Sequence, residues 1–463
     1  MAISAQDSVK ALLKAYYKDG VENLLWRNSP VLKEIKKERV EGKTYNFSTI
    51  ASATPAVSGD FTLTETLAAE MGQNAEFVVS NDLGQVFSAY TLSPKEVLAS
   101  KTNAGAYMKV AGAKMFAASE ALRKVLAATL YGRGFGELCF ATASETVGTT
   151  ASDITMPEDA IMKIFPGARL VVKSSVEADS TGIEAALVVQ KVNGNKVNVI
   201  ADTSYTLAGT DVICYAGAMD AAGQPLLPMG LAAWLPKIAK RTTATWSSYI
   251  GTDFCGVDRS NNVDGLAGAF YEETSSTAKK VEAIQALLTK CRRQGSEADL
   301  IVMNDEDWLE VSKEIESSNT YFTQTSTKSK KDAVIGMNEI GASFSTNYID
   351  NVYDDPYCPK GEFYILDKEA VSYIVFTNAT KVNDGVAGNN PGKPNVLEDG
   401  ADLANEPMKL LIDDFVNIKP AQSSTRGPTI QISLLFYGNL IITNPSICGT
   451  GLFYDSHVVS TSL

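Results

Sequence analysis

Apolar positions recur at helical spacing over residues 4–27, where Val9, Leu12, Leu13, Tyr16 and Tyr17 fall on one face and Gly20 interrupts the run. The pattern predicts an amphipathic helix there. It then changes character. Residues 44–94 hold three strand-like runs: Tyr45 to Ser48, Ala75 to Val79 and Gln85 to Tyr90. Thr, Ser, Ala and Gly fill the spaces between them. About fifty residues with so few large apolar groups cannot bury themselves well. The stretch reads as a long hairpin resting on something else, or as a floppy surface insertion.

The strongest helical periodicity covers residues 101–131. Tyr107, Ala111, Met115, Ala118, Leu122, Val125 and Thr129 share one face, and a helix of that span would be about 45 Å long. Gly132 and Gly134 end it. Residues 146–229 read as a separate small β unit with short apolar runs at Ala168 to Val172, Ala186 to Val192, Lys196 to Ile200 and Asp211 to Tyr215. Asn193-Gly194 is a two-residue hairpin signal, and Pro166-Gly167 and Ala208-Gly209 supply further turns. A five- or six-stranded barrel is the expected closure. Residues 237–370 mix helix and strand. Val281, Ile284, Leu287, Leu288 and Cys291 make a helical face closed by Gly295, Leu300 to Met303 reads as a buried strand, and Asn304 or Asp305 caps a helix holding Trp308, Val311 and Ile315. Phe363 to Leu366 and Ser372 to Phe376 are further strands. Residues 377–407, rich in Asn, Gly and Pro, read as a long loop. Strands return at 408–418, 429–437 and 440–444, the last two joined by a turn at Gly438-Asn439. Nothing repeats, and the fold class is α+β.

Composition narrows the function. Hydrophobic residues are 45% and charged residues 21% of 463, an ordinary globular mixture. The net charge is −13, which disfavours a dedicated nucleic-acid binder. The charge is also uneven. Residues 44–94 contain Asp60, Glu65, Glu70, Glu76 and Asp82 and no Lys or Arg, whereas residues 101–134 carry Lys101, Lys109, Lys114, Arg123, Lys124 and Arg133 against Glu120 alone. Residues 1–43 mix both signs, as a solvated face or an arm lying on a neighbouring subunit would.

Candidate chemistry is sparse. The single histidine is His457, so sites that need His have one candidate, in the tail. The six cysteines include no CxxC pair, which excludes a zinc ribbon or thioredoxin-like motif by spacing and leaves reduced, mostly buried thiols as the expectation. Gly132, Gly134 and Gly136 form GxGxG after a helix, where a dinucleotide site needs GxGxxG after a strand. The pairs Asp305/Asp307, Asp354/Asp355 and Asp413/Asp414 lack the density of a calcium loop and read as caps or turns. Trp26, Trp234, Trp246 and Trp308 read as core or interface anchors. No catalytic, cofactor-binding or metal-binding residue is assigned. The first twenty residues hold no long apolar run, so a signal peptide is not expected, and no stretch approaches the apolar length of a membrane span. A cytoplasmically made, soluble protein is the expectation.

The order of segments, an arm, a long hairpin, a long helix, a mixed α/β region and returning strands, resembles the major capsid protein of tailed bacteriophages with the Hong Kong-97-type fold. Local strings resemble that family too: LWRNSPVL (25–32), GKTYNF (42–47), LYGRGFGEL (130–138), GLAAWLP (230–236), FCGVDRSNNVDGLAG (254–268), DLIVMNDEDW (299–308) and YGNLIITNP (437–445). The resemblance implies an N-terminal arm (1–43), an E-loop (44–100), a peripheral domain beginning with a spine helix (101–145), an inserted small β-barrel (146–229), an axial domain with connecting strands (230–370) and peripheral return strands (371–463). It implies a virion protein, assembled in the bacterial host cytoplasm into pentamers and hexamers of an icosahedral or prolate head. Its partners would be copies of itself, a portal, a separate scaffolding or decoration protein if one is used, and packaged double-stranded DNA contacted non-specifically, with no membrane and no cofactor. The family has no catalytic residues to carry over.

The residues add a mechanism to that resemblance. An acidic loop and a basic helix are complementary, so Asp60, Glu65, Glu70, Glu76 and Asp82 are expected to meet Lys109, Lys114, Arg123 and Lys124 of an adjacent copy. Some relatives weld their shells by a lysine-to-asparagine bond from the E-loop. Here no lysine lies between Lys43 and Lys95, so no such bond is expected from the loop body. Competing readings are an encapsulin-like nanocompartment shell, a secreted β-rich adhesin or binding module, and a histidine-poor glycosidase.

Overall fold

The computed structural model describes residues 30–40, 44–50, 57–67, 74–80, 84–92, 110–142, 144–175, 182–220, 223–237, 251, 253–318, 351–376, 417–421 and 429–454. The helix expected at 4–27, the loop expected at 377–407, Trp26, Trp246, the Asp413/Asp414 pair and His457 lie outside these residues.

In chain order the elements begin with α1 (Pro30–Glu34), β1 (Lys36–Val40), β2 (Thr44–Ile50), α2 (Phe61–Leu67), β3 (Asn74–Ser80), β4 (Gln85–Leu92), α3 (Val110–Thr129) and β5 (Glu137–Phe140). Then come β6 (Thr146–Val147), β7 (Ser152–Thr155), α4 (Glu158–Lys163), β8 (Arg169–Lys173), β9 (Ile183–Asn193), β10 (Lys196–Ala201), β11 (Tyr205–Thr206), β12 (Val212–Tyr215) and α5 (Leu231–Trp234). The remainder are α6 (Val263–Leu266), β13 (Ala269–Glu272), α7 (Lys280–Arg293), β14 (Leu300–Met303), α8 (Asp305–Ser318), β15 (Asn351–Asp354), β16 (Glu362–Leu366), β17 (Val371–Phe376), β18 (Asn417–Ala421), β19 (Thr429–Ile442) and β20 (Gly449–Leu452). The chain is α+β and divides into two units.

The first unit comprises residues 1–45, 80–230 and 373–440. One of its sheets runs β1-β17-β19-β18, with β4 also paired to β19. Helix α3 lies on β4, and the Ser88 hydroxyl donates to the Ala118 carbonyl at 3.1 Å. Leu122 and Leu126 bury one face of the helix, and its small residues let the strand approach. Gly134 and Gly136 take positive φ after it, so GxGxG is a helix stop feeding β5.

The other sheet of this unit is antiparallel, in the order β5-β12-β8-β9-β10-β7. Alternation in β9 and β10 builds its inner face, with Ala185, Leu187 and Val189, then Val197, Val199 and Ala201 buried, while β8 is buried on both faces from Leu170 to Lys173. The β9–β10 hairpin closes with Asn193 opposite Lys196, so its tip is Gly194-Asn195, one residue later than the sequence signal. Pairing along the sheet ends at β5 and β7, so it is a six-stranded sheet, with closure into a barrel left as an expectation.

Strand β19 corrects a sequence expectation. It continues through Gly438-Asn439 as one 14-residue strand, where a turn between two strands was expected. The glycine is there for close approach: a Cβ at Gly438 would lie 2.5 Å from the Ile374 carbonyl oxygen. Asn439 is fully buried and its side-chain oxygen accepts the Met229 N–H at 2.9 Å.

The second unit comprises residues 46–79, 231–372 and 441–463. Its sheet runs β13-β20-β16-β14-β15, parallel at both outer pairs and antiparallel within. Helix α7 buries Ile284, Leu287, Leu288 and Cys291 of the expected stripe, together with Ala283, against Ile301, Met303, Phe363 and Ile365, with Val281 partly buried at the edge, while Val311 from α8 completes the cluster. Gly295 at φ +87° stops α7, and the Asn304 side-chain oxygen accepts from Glu306 N at 3.0 Å at the start of α8. Strands β2 and β3 pair as a two-stranded ribbon.

That ribbon corrects the expectation that residues 44–94 cannot bury themselves well. Ala75, Phe77 and Val79 point inward and are buried within their own chain, and β4 pairs along its whole length with β19. Among the described residues, the tip stays open to solvent, as do the outward side chains of the strands, Val78 and Phe87 among them.

Candidate functional site

The tip is a short capped helix. Asp60 begins α2: its carboxylate accepts from Thr62 N at 2.9 Å, and its carbonyl accepts from Thr64 N at 3.0 Å. The helix sequence FTLTETL then presents Phe61 at 79% and Leu63 at 48% exposure, with Val57 at 85% just before it. Large apolar groups held outward on ordered backbone mark a contact surface more than scattered exposure does. The sequence reading saw the acids here and missed Phe61. The signal was available, since Asp directly before an apolar residue in a Thr-rich stretch is a helix-start pattern.

The acids predicted to make contacts are placed as follows. Asp60, Glu65 and Glu76 are exposed, and Glu76 accepts from the Asn46 amide at 3.3 Å. Glu70, Asp82 and Lys109 lie outside the described residues. On α3, Lys114 is half-buried, and Arg123 forms an ion pair at 2.7 Å with Glu120, which is itself buried. Lys124 is 3% exposed and its ammonium donates to the Ile164 carbonyl at 2.8 Å. Burial pushes this amine down to about 8. Its charge serves the inside of its own unit.

A second constellation joins two of the strings noted in the sequence, GLAAWLP and FCGVDRSNNVDGLAG. Trp234 at the end of α5 and Phe254 meet edge to face at 4.9 Å. Phe77 from β3 sits against both, at 5.3 Å and 6.4 Å, and Phe47 from β2 stacks on Phe77 at 5.2 Å. The Arg259 guanidinium lies 3.3 Å over the Phe254 ring. It is fully buried and donates to the Trp234 carbonyl at 3.0 Å and the Ala233 carbonyl at 2.7 Å. Val78 N donates to the Cys255 carbonyl at 2.9 Å, in a turn where Cys255 (φ +51°) and Gly256 (φ +81°) are left-handed. Burial pushes the Cys255 thiol up to about 12, so it is held as a neutral thiol.

The remaining chemical candidates are structural. Lys280 pairs with Asp307 at 2.5 Å and Glu310 at 2.7 Å, while the other Asp307 oxygen accepts Gly361 N at 2.7 Å. Desolvation raises the Asp307 carboxyl. Asp355 is buried and accepts Tyr357 N at 3.0 Å. Trp234 is core and Trp308 packs against the α7 cluster. The six cysteines form no disulfide, and among the described residues no three metal-ligating side chains gather.

No protein-family model and no curated protein matches the sequence. Among solved structures, the chain is similar to the capsid asymmetric unit of cyanophage A-1(L), with 13% identity, 97% of this chain and 98% of that chain covered, and a TM-score of 0.54. It is also similar to the capsid of an empty GTA particle (8% identity, 98% and 99% covered, TM-score 0.43) and to the SrpI encapsulin complex of Synechococcus elongatus (6% identity, 98% and 99% covered, TM-score 0.40). The cyanophage match sets the architecture: this chain has the fold of a phage capsid subunit, the Hong Kong-97-type fold.

Proposed function

We propose that the chain is a structural shell subunit, the major capsid protein of a tailed-phage head, assembling into pentamers and hexamers around double-stranded DNA. The observation that carries this is a fold shared over nearly the whole chain with a capsid asymmetric unit. The exposed α2 tip supplies the mechanism. It lies across a neighbouring copy, with Phe61 and Leu63 as apolar anchors. The acids Asp60, Glu65, Glu70, Glu76 and Asp82 face Lys109, Lys114 and Arg123 there. Lys124 leaves this set because Ile164 holds it.

Burying one exposed Phe gains about 1.5–3 kcal/mol, and an exposed ion pair about 0–1 kcal/mol, screened by salt. Each contact is weak, and repetition around a closed shell makes the sum effectively irreversible. The protein would be made in the bacterial host cytoplasm and reside in the virion, with a portal and any scaffolding or decoration protein as further partners.

Negative-stain electron microscopy of the expressed protein tests the reading. Closed particles or ring-shaped capsomers are the expected result. A protein that stays single at high concentration would overturn it, and particles enclosing protein cargo in place of DNA would move it to a nanocompartment shell.

A further inference from the structure

We infer that Arg259 is a positioning residue for the loop: it locks the β2–β3 stem onto the second unit, so the α2 tip is presented in one direction before any second copy arrives. Three features point to this. The cluster is built from both arms of the stem (Phe47 and Phe77) and from two distant segments (Trp234 and Phe254), so it joins the stem to the body of the unit. Its organiser is a fully buried guanidinium, where an apolar side chain would fill space at lower desolvation cost. A planar fork, however, can do three things at once: lie flat on Phe254 and donate to two successive carbonyls at the end of α5. Finally, the Phe254–Val257 turn, held at Cys255 in a conformation that non-glycine residues avoid, offers its carbonyl to Val78 and so pins β3 directly.

A stem tethered only by its own ribbon would let the tip sample many directions, and docking would bear that ordering cost at each of the shell's contacts. A locked stem lowers the part of that cost that the stem's own motion contributes. The assembly consequence rests on the shell reading above; the lock itself does not.

The test uses the full chain carrying Arg259→Met, with Arg259→Lys and Phe77→Leu alongside. Ile284→Val, in the α7 core, is the control, compared at equal margin below each variant's melting temperature. Hydrogen exchange at the Val78 amide reads the lock, and particle yield reads presentation. Arg259→Met is expected to speed Val78 exchange about ten- to a hundredfold and to lower particle yield, with Arg259→Lys only partly restoring both and the control unchanged in both. Should Arg259→Met fail to fold, Phe77→Leu, which keeps the charge and loosens the cluster, is expected to show the same pair of effects. Unchanged Val78 exchange in the folded variants overturns the lock. Faster exchange with wild-type particle yield overturns the positioning role. If the wild type itself forms no particles, the shell reading falls, and Val78 exchange still decides whether Arg259 locks the stem.

Discussion

Lys124 decides whether the basic charge of α3 works inside the chain or outside it. Its amine is buried with its hydrogen at the Ile164 carbonyl, and burial holds it at about 8. Lys124→Glu would put a carboxylate against that carbonyl. The hydrogen bond is lost and a second acceptor is desolvated, which together cost on the order of 5 kcal/mol, a large share of the stability of a typical domain. Lys124→Met keeps the apolar stem and loses only the bond, about 1 kcal/mol. The wild type carries a pH signature that Met removes. Below pH 8 the amine is protonated in both states and the folded state bears its full desolvation cost. Between about 8 and the ordinary 10.5 the folded chain sheds the proton and the unfolded chain keeps it, so wild-type stability rises with pH relative to Lys124→Met, by at most about 3 kcal/mol. The difference must be taken between the two proteins. The thiols of Cys214, Cys255 and Cys448, pushed up to about 12 by desolvation, pull the other way above pH 9 in both. Denaturant unfolding at pH 7, 8, 9 and 10 reads the effect. A Lys124→Glu protein that unfolds like the wild type but fails to assemble would return Lys124 to the intersubunit contact.

Three further outcomes follow from the same geometry. Gly438→Ala drives a Cβ toward the Ile374 carbonyl and should cost about 1–3 kcal/mol in a thermal melt; a neutral result would restore the turn. Asp307→Ala leaves the Lys280 ammonium with Glu310 alone and strands the Gly361 N–H, so chemical denaturation should show a loss of about 2–3 kcal/mol, and a loss below 1 kcal/mol would mean the pair is open to water. Phe61→Ser should leave unfolding within about 0.5 kcal/mol of wild type, because the ring is already exposed, while raising the protein concentration at which light scattering reports assembly. Unchanged assembly would remove the tip from the interface.

The elements legible in the sequence are those whose partners are implied by their own period. Val281, Ile284, Leu287, Leu288 and Cys291 spell one face of α7 and Gly295 its end, and alternation in β9 and β10 fixes which side chains go inward. The illegible parts depend on what arrives from far away. Ala75, Phe77 and Val79 are plainly one face of a strand, yet nothing nearby says that Trp234 and Phe254 will cover it. β5 is four residues directly after a glycine-rich stop, too short to carry a period, and it joins the six-stranded sheet through β12. Gly438-Asn439 has turn composition, but its glycine answers a neighbouring backbone. Lys124 was given to solvent because charges usually lie there, while the acceptor that draws it inward is forty residues on.

The corrected loop changes the physical basis of the proposed assembly. A stretch unable to satisfy itself would associate because its fold is incomplete, and the free chain would be expected to aggregate. Here β3 and β4 are satisfied within the chain, and the tip is a capped helix that leaves Phe61 and Leu63 outside. On the proposed shell reading, the driving force for association would be a small apolar area on ordered backbone, flanked by carboxylates that repel other tips and favour a basic partner. Such a surface permits a stable free subunit and a contact weak enough to be corrected while a shell is growing, with permanence coming from closure.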